Sequence, residues 1–270
     1  MEPTPQNRRG RIRALPFNVI IPNVLTLFAL SAGVTAIRFG IEAKWERAVI
    51  ALLIAAILDA LDGRVARMLR GTSKFGAELD SLSDMVCFGV APALILYCFA
   101  MQGQTGFGWA LCLGYAACMA LRLARFNTMI GDPDQPAWAY NYFTGVPAPA
   151  AALLVLTPLT LSIEFEHSIF SEPAVVGTFL AGVAFLMVSR IPTFAMKKGR
   201  VPVRGVLPLM LLIVAIAAFL VTQPWLTMAT LGLVYLGTIP VSYNMYRRRA
   251  AAEAEGKAPA DDDDDFDAGL

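Results

Sequence analysis

The stretch from Leu58 to Asp84, LDALDGRVARMLRGTSKFGAELDSLSD, sets four aspartates between two apolar runs, ERAVIALLIAAI before it and MVCFGVAPALILYCFA after it. Both flanks are hydrophobic enough to lie in lipid. An ionisable side chain at that depth costs ~2.5–3.5 kcal/mol on insertion scales and needs a partner or a purpose. Asp59 and Asp62 are three residues apart, and Asp80 and Asp84 four apart, so each pair occupies one face of its own predicted helix. Four like charges brought together repel unless cations compensate them or some take up protons. An all-carboxylate set suits a hard divalent ion, Mg2+, Mn2+ or Ca2+, better than zinc. Gly63 and Gly76 leave room for a ligand to approach the backbone, and Arg64, Arg67, Arg70 and Lys74 add positive charge. Carboxylate, glycine and arginine together point to a metal-bound phosphate ester.

Outside this stretch the chain reads as a polytopic membrane protein. Of its 270 residues 57% are hydrophobic and 16% charged, well below the roughly 25% charged content of soluble domains. No basic patch is interleaved with aromatics, which argues against a nucleic-acid partner. Cys87, Cys98, Cys112 and Cys118 all fall in hydrophobic runs without CxxC spacing and read as small core residues. The single histidine, His167, sits in the acidic connector IEFEHSIFSEP and reads as a solvated loop residue.

The hydrophobic pattern predicts an all-α bundle of about eight transmembrane helices, each near the ~20 residues that a bilayer requires. Their expected spans are 17–37, 46–69, 79–101, 108–126, 145–161, 175–196, 206–221 and 226–245. Residues 1–16, with Arg8, Arg9, Arg11 and Arg13, form a basic arm; 17–198 hold the membrane core; 199–246 add two helices; 247–270 end in an acidic tail with Asp261 to Asp265. Charge blocks of that kind are usually disordered. With the amino terminus in the cytosol, only Arg38, Lys44 and Arg47 of the 22 Lys and Arg face outward. The positive-inside rule therefore places both termini and the aspartate loop at the cytosolic face of the inner membrane. Asn23 and Thr26, at the start of the first helix, can face the aspartate hairpin or serve an interhelical hydrogen bond.

The spacing Asp59-x2-Asp62-Gly63-x2-Ala66-Arg67-x8-Gly76-x3-Asp80-x3-Asp84 resembles the signature of the CDP-alcohol phosphatidyltransferases at all eight defining positions. The resemblance implies a six-helix core, a homodimer, and transfer of a phosphatidyl group from a CDP-alcohol to an acceptor hydroxyl, with CMP leaving. It implies that Asp59, Asp62 and Asp80 hold a pair of Mg2+ or Mn2+ ions, with Asp84 both touching metal and acting as general base. Gly63 and Ala66 would give cytidine room, Arg67 would pair with phosphate, and Gly76 would let the third helix approach closely. A Pro-Asn-x2-Thr element also recurs in these enzymes, which adds Asn23 and Thr26 to the residues expected near CDP-diacylglycerol.

The acceptor has to be read outside the signature. ELDSLSDMVCFGVAPA, RLARFN, FTGVPAPAAA and SRIPTF resemble elements of the integral-membrane phosphatidylserine synthases, with Cys87 where serine is expected and Val146 where leucine is usual. That resemblance implies CDP-diacylglycerol and L-serine as substrates. A serine pocket calls for an arginine fork against its carboxylate, and Arg122, Arg125 and Asn127 are the candidates. The same arginines can instead snorkel to headgroups. Glycerol 3-phosphate, inositol phosphate or choline would leave the signature unchanged, and a cation or proton transporter is the alternative of another class.

Overall fold

The computed structural model describes residues 17–69, 71, 73–104, 106–129, 142–166, 168–194 and 203–254. Among them are eight helices: α1 (Phe17–Ile41), α2 (Trp45–Met68), α3 (Lys74–Met101), α4 (Phe107–Met129), α5 (Ala148–Phe165), α6 (Pro173–Val188), α7 (Val203–Thr222) and α8 (Pro224–Ala254). Six of them, α1, α3, α4, α5, α7 and α8, are long and apolar enough to cross a membrane, so this is a polytopic helical membrane protein. The other two fall short for separate reasons. α6 has only 16 residues, and α2 carries Glu46, Arg47, Asp59, Asp62, Arg64 and Arg67. α2 nevertheless shows an exposed apolar stripe, Ile50, Ile54, Ile57 and Leu61, while Ala48, Ala51, Ala55 and Asp62 are buried.

Small residues set the spacing around α1. Ala29, Gly33, Ala36 and Gly40 recur on one side of that helix. A Cβ on Gly33 would lie 2.5 Å from Cys87 Sγ, and one on Gly40 2.8 Å from Ile95 Cγ1. Close approach of this kind is how helices associate where lipid removes the hydrophobic drive. Cys87 is buried in this seam, its thiol against the Ala29 carbonyl at 3.4 Å, and serves as a small core residue.

Two prolines leave helix carbonyls without their usual donors. Pro92 has no N–H for the Phe88 carbonyl four residues earlier, and α3 widens into a π-helical turn over Met85–Val90. The Tyr115 hydroxyl of α4 donates to that Phe88 carbonyl at 2.9 Å. Pro22 likewise leaves the Asn18 carbonyl without its helical donor, and a Cβ on Gly71 would run into this group. The α2–α3 loop is thereby held against the start of α1.

Several element ends depart from the expected spans. α3 starts at Lys74 and not near Leu79, because Ser73 caps it, accepting from Gly76 N at 3.0 Å. α5 starts at Ala148 and α6 stops at Val188. The residues just before α5 and just after α6 pair as an antiparallel ladder, β1 (Tyr142–Thr144) with β2 (Pro192–Phe194), which the all-helical expectation lacked. α8 runs on to Ala254, past the expected end at Met245, since RRRAAAEA consists of strong helix formers. The basic arm 1–16, Arg70, His167, the GDPDQPAWAYN part of the α4–β1 connection, the MKKGR segment and the acidic aspartates 261–265 lie outside the described residues.

Arg125 fastens this ladder to the helices. Its Nη1 donates to Val188 O (2.8 Å), and its Nη2 is shared among Thr144 O (2.9 Å), Met187 O (3.1 Å) and Ser189 O (3.2 Å). These include the carbonyls that the end of α6 leaves without helical donors, where a cation is also favoured by the helix dipole. Gly145 sits inside the clamp at φ +82°, and a Cβ there would lie 2.6 Å from Met187 O. Gly145→Ala should therefore cost ~1–3 kcal/mol from backbone conformation alone. Thermal unfolding in detergent should show a lowered melting temperature; a wild-type value would mean that the turn relaxes without strain.

Candidate active site

The site forms where the loop after α2 leads into α3. Helical periodicity turns Asp59 and Asp62 of α2 toward Asp80 of α3, and one carboxylate oxygen from each lies within 4.8 Å of the others. Asp84 is one turn further along α3, with its carboxyl against that of Asp59. Its Oδ1 is buried and has no hydrogen-bond partner among the described residues. Asp62, only 4% exposed, is met by the Thr26 hydroxyl of α1 at 2.6 Å. The same hydroxyl lies 3.1 Å from the Pro22 carbonyl, so the irregular start of α1 aims it.

No cation among the described residues is ion-paired with these aspartates. The ion pairs present are Arg38–Glu42 at 2.8 Å and Lys44–Glu42 at 2.7 Å, in the α1–α2 turn at the far end of α2. There Lys44 and then Arg38 hold the Glu42 carboxyl below its ordinary range. At the aspartates the balance is different. Two unit charges ~4.8 Å apart repel by about 3–4 kcal/mol at an effective dielectric of 20, and several such pairs act together. Three carboxylate oxygens at this separation can share one ion with bonds of ~2.4 Å, while Asp84 stands outside this set, against Asp59. The donor set thus fits a hard divalent cation.

Beside the carboxylates lies a cavity of about 190 Å³. Its lining includes all six residues expected to meet the nucleotide lipid: Asn23, Thr26, Gly63, Ala66, Arg67 and Gly76. Asp62 and Asp80 form one wall. At Gly76 a Cβ would lie 2.8 Å from Asn23 Oδ1, so the glycine keeps α1 and α3 in close register at the cavity mouth. Arg67 curls back over Gly63.

The three acceptor candidates on α4 are not equivalent. Asn127 donates from Nδ2 to Ser81 Oγ at 3.0 Å, tying α4 to α3 next to Asp80. Arg125 is committed to the carbonyl clamp. Arg122 is 9% exposed, faces Asp84, stacks its guanidinium over Phe126 at 5.8 Å and makes no hydrogen bond among the described residues. Sequence reasoning passed over Gly71 and Ser73, which also line the cavity, and Tyr235 of α8, which faces Arg122. Nothing in the spacing of a lone tyrosine on a distant apolar helix signals such a role.

Thr26 orients Asp62, so Thr26→Val should weaken divalent-ion binding by about tenfold or more. Calorimetric titration of the purified protein with Mn2+ reads this directly. Unchanged affinity would reduce Thr26 to a brace between α1 and α2.

Comparison with known proteins bears on this geometry. The sequence model described as CDP-alcohol phosphatidyltransferase matches residues 19–188, and one described as CDP-alcohol phosphatidyltransferase 2 matches residues 204–240. The chain is 39% identical over 232 residues to the CDP-diacylglycerol–serine O-phosphatidyltransferase of Mycobacterium leprae, covering 86% of this chain and 77% of that protein. It is 35% identical over 179 residues to the protein of the same name from Helicobacter pylori, covering 66% and 73%. It is 33% identical over 178 residues to the archaetidylserine synthase of Methanothermobacter thermautotrophicus, covering 64% and 69%. The match spans α1 to α6 with every aspartate of the cluster inside it, and the chain belongs to the metal-dependent CDP-alcohol phosphatidyltransferase family.

Proposed function

We propose that the protein transfers the phosphatidyl group of CDP-diacylglycerol to the hydroxyl of L-serine, giving phosphatidylserine and CMP. The observation that carries the serine assignment is Arg122, a buried guanidinium beside Asp84 whose hydrogen-bonding capacity no described residue uses. A carboxylate is the natural partner for such a fork. The names of the relatives from Mycobacterium, Helicobacter and Methanothermobacter agree on a serine product.

In this reading Asp59, Asp62, Asp80 and Asp84 hold divalent ions, two Mg2+ or Mn2+ by family resemblance. When bound, such ions neutralise the diphosphate and polarise the phosphoryl group under attack. Arg67 pairs with the diphosphate, and Gly63 and Ala66 leave the cavity wall free of side chains where cytidine enters. Asn23, Thr26 and Gly76 set the cavity mouth. Arg122 grips the serine carboxylate and turns the hydroxyl toward Asp84. Asp84 takes the hydroxyl proton as the serine oxygen bonds to the diacylglycerol-linked phosphorus and the bond from that phosphorus to CMP breaks. Arg125 and Asn127 position α4, through the carbonyl clamp and Ser81 respectively.

For the chain as a whole, we take α2 and α6 as spans alongside the six long helices, giving eight, with 17–198 as the core and 199–246 as an addition. Both termini and the site face the cytosol, because that orientation leaves only three of the 22 Lys and Arg outside. A homodimer follows from the family resemblance alone.

Purified protein with CDP-diacylglycerol and Mn2+ should release CMP with L-serine and not with glycerol 3-phosphate, inositol phosphate or choline. EDTA should abolish the release, and Mg2+ or Mn2+ should restore it. Arg122→Lys keeps the charge but loses the planar fork, and should raise the apparent KM for serine roughly tenfold to hundredfold with little change for CDP-diacylglycerol. CMP release with glycerol 3-phosphate and not with serine would overturn the acceptor, and full turnover in metal-free buffer would overturn the role of the aspartates.

A further inference from the structure

Three polar groups from three helices meet behind the aspartates without a hydrogen-bond partner among the described residues. They are Asp84 Oδ1 of α3, the nine-tenths-buried Arg122 guanidinium of α4 and the Tyr235 hydroxyl of α8. Arg122 lies within electrostatic range of both Asp84 and Tyr235. The Tyr235 hydroxyl approaches Thr193 of β2 without reaching hydrogen-bond geometry. Thr193 itself donates to the Gly145 carbonyl at 2.8 Å, so toward Tyr235 it can act only as an acceptor. Buried hydroxyls and guanidinium groups are rarely left unbonded, and a convergence of them marks a place that a polar ligand completes.

The position of Tyr235 is set by the seating of α8. Gly232, one turn earlier, brings α8 so close to α5 that a Cβ there would lie 3.1 Å from Thr157 Oγ1. Met228, Ala229, Ile239 and Ser242 are buried on the same side. The Ser242 hydroxyl, two turns further on, is also buried without a partner. Near its carboxyl end, α8 is held by the edge-on contact of Tyr142 with Tyr246 at 5.3 Å. These contacts fix the backbone of α8 at Tyr235 on the side of the helix that packs against α5.

We infer that Tyr235 binds the acceptor, its hydroxyl donating to the anionic group that Arg122 grips, so that α8, outside the 19–188 match, closes the acceptor pocket. This rests on the phosphatidyl-transfer reading, and with serine as acceptor the shared group is the carboxylate. A phenol and a guanidinium on one carboxylate fix its orientation better than either alone, which aims the serine hydroxyl at Asp84.

Tyr235→Phe removes the hydroxyl and keeps the ring that packs α8. Its melting temperature should match wild type, with KM for CDP-diacylglycerol within twofold. The apparent KM for serine should rise about tenfold or more, as expected for a lost hydrogen bond to a charged group. Combined with Arg122→Lys, the rise should be smaller than the product of the two single effects, because both act on one group. An unchanged serine KM in Tyr235→Phe, or fully multiplicative effects, would overturn the proposal. If wild type uses glycerol 3-phosphate and not serine, the serine reading fails separately. A shift in the glycerol 3-phosphate KM of Tyr235→Phe would then still support Tyr235 as an acceptor residue, and no shift would end that role.

Discussion

Mutual repulsion among four aspartates at the α2–α3 junction is the constraint on which the rest of the protein depends. Folding brings Asp59, Asp62 and Asp80 within 4.8 Å of one another, with Asp84 against Asp59, and no cation among the described residues is paired with them. Such an arrangement opposes the compact state unless a divalent ion occupies it or some of the carboxylates take up protons. The surrounding structure is built to hold it nonetheless. Gly33 and Gly40 let α1 lie almost backbone to backbone on α3, and this close seam delivers Thr26 to Asp62 and Asn23 to Gly76. Stability is given up at the site and supplied by the packing beneath it.

The second organising device is the reuse of carbonyls that helices cannot satisfy. Pro92 frees the Phe88 carbonyl for Tyr115, and the end of α6 offers its carbonyls to Arg125. Each is a polar contact between elements distant in sequence, made where the environment is apolar and an unsatisfied group is costly. Together they fix α4, the helix that bears Arg122, against α3, β1 and α6. The acceptor side is thus positioned by backbone chemistry, and the metal side by carboxylate spacing.

These two sides differed in how far the sequence disclosed them. The i, i+3 and i, i+4 spacing of the aspartates is periodic, local and expensive in a membrane, so it was legible from the chain, as were six of the residues that line the cavity, though not Gly71 or Ser73. The helices themselves were legible from hydrophobicity. Their ends were less so: β1 and β2 are three residues each, too short for an alternating pattern, and their pairing joins segments far apart in the chain. The separation of Arg122 from Arg125 was invisible for the same reason. RLARFN shows two arginines three apart, and only the arrival of residues 187–189 reveals that one of them is committed to carbonyls. Tyr235 carries no local signal at all, since a tyrosine in an apolar helix is ordinarily read as an interfacial residue.

The central claim, that the carboxylates oppose folding until a cation joins them, is tested most directly by melting temperature. Purified wild-type protein and an Asp80→Asn variant would be compared in EDTA and in saturating Mn2+. Ion binding at about a hundred times Kd contributes ~2.7 kcal/mol, which for a chain of this size amounts to a shift of roughly 5–10 °C. Mn2+ should raise the wild-type melting temperature by about that much. In EDTA the variant should be more stable than wild type, because one repelling charge is gone, and it should gain much less from Mn2+. Equal wild-type melting temperatures in EDTA and Mn2+, together with a variant no more stable than wild type in EDTA, would contradict the account.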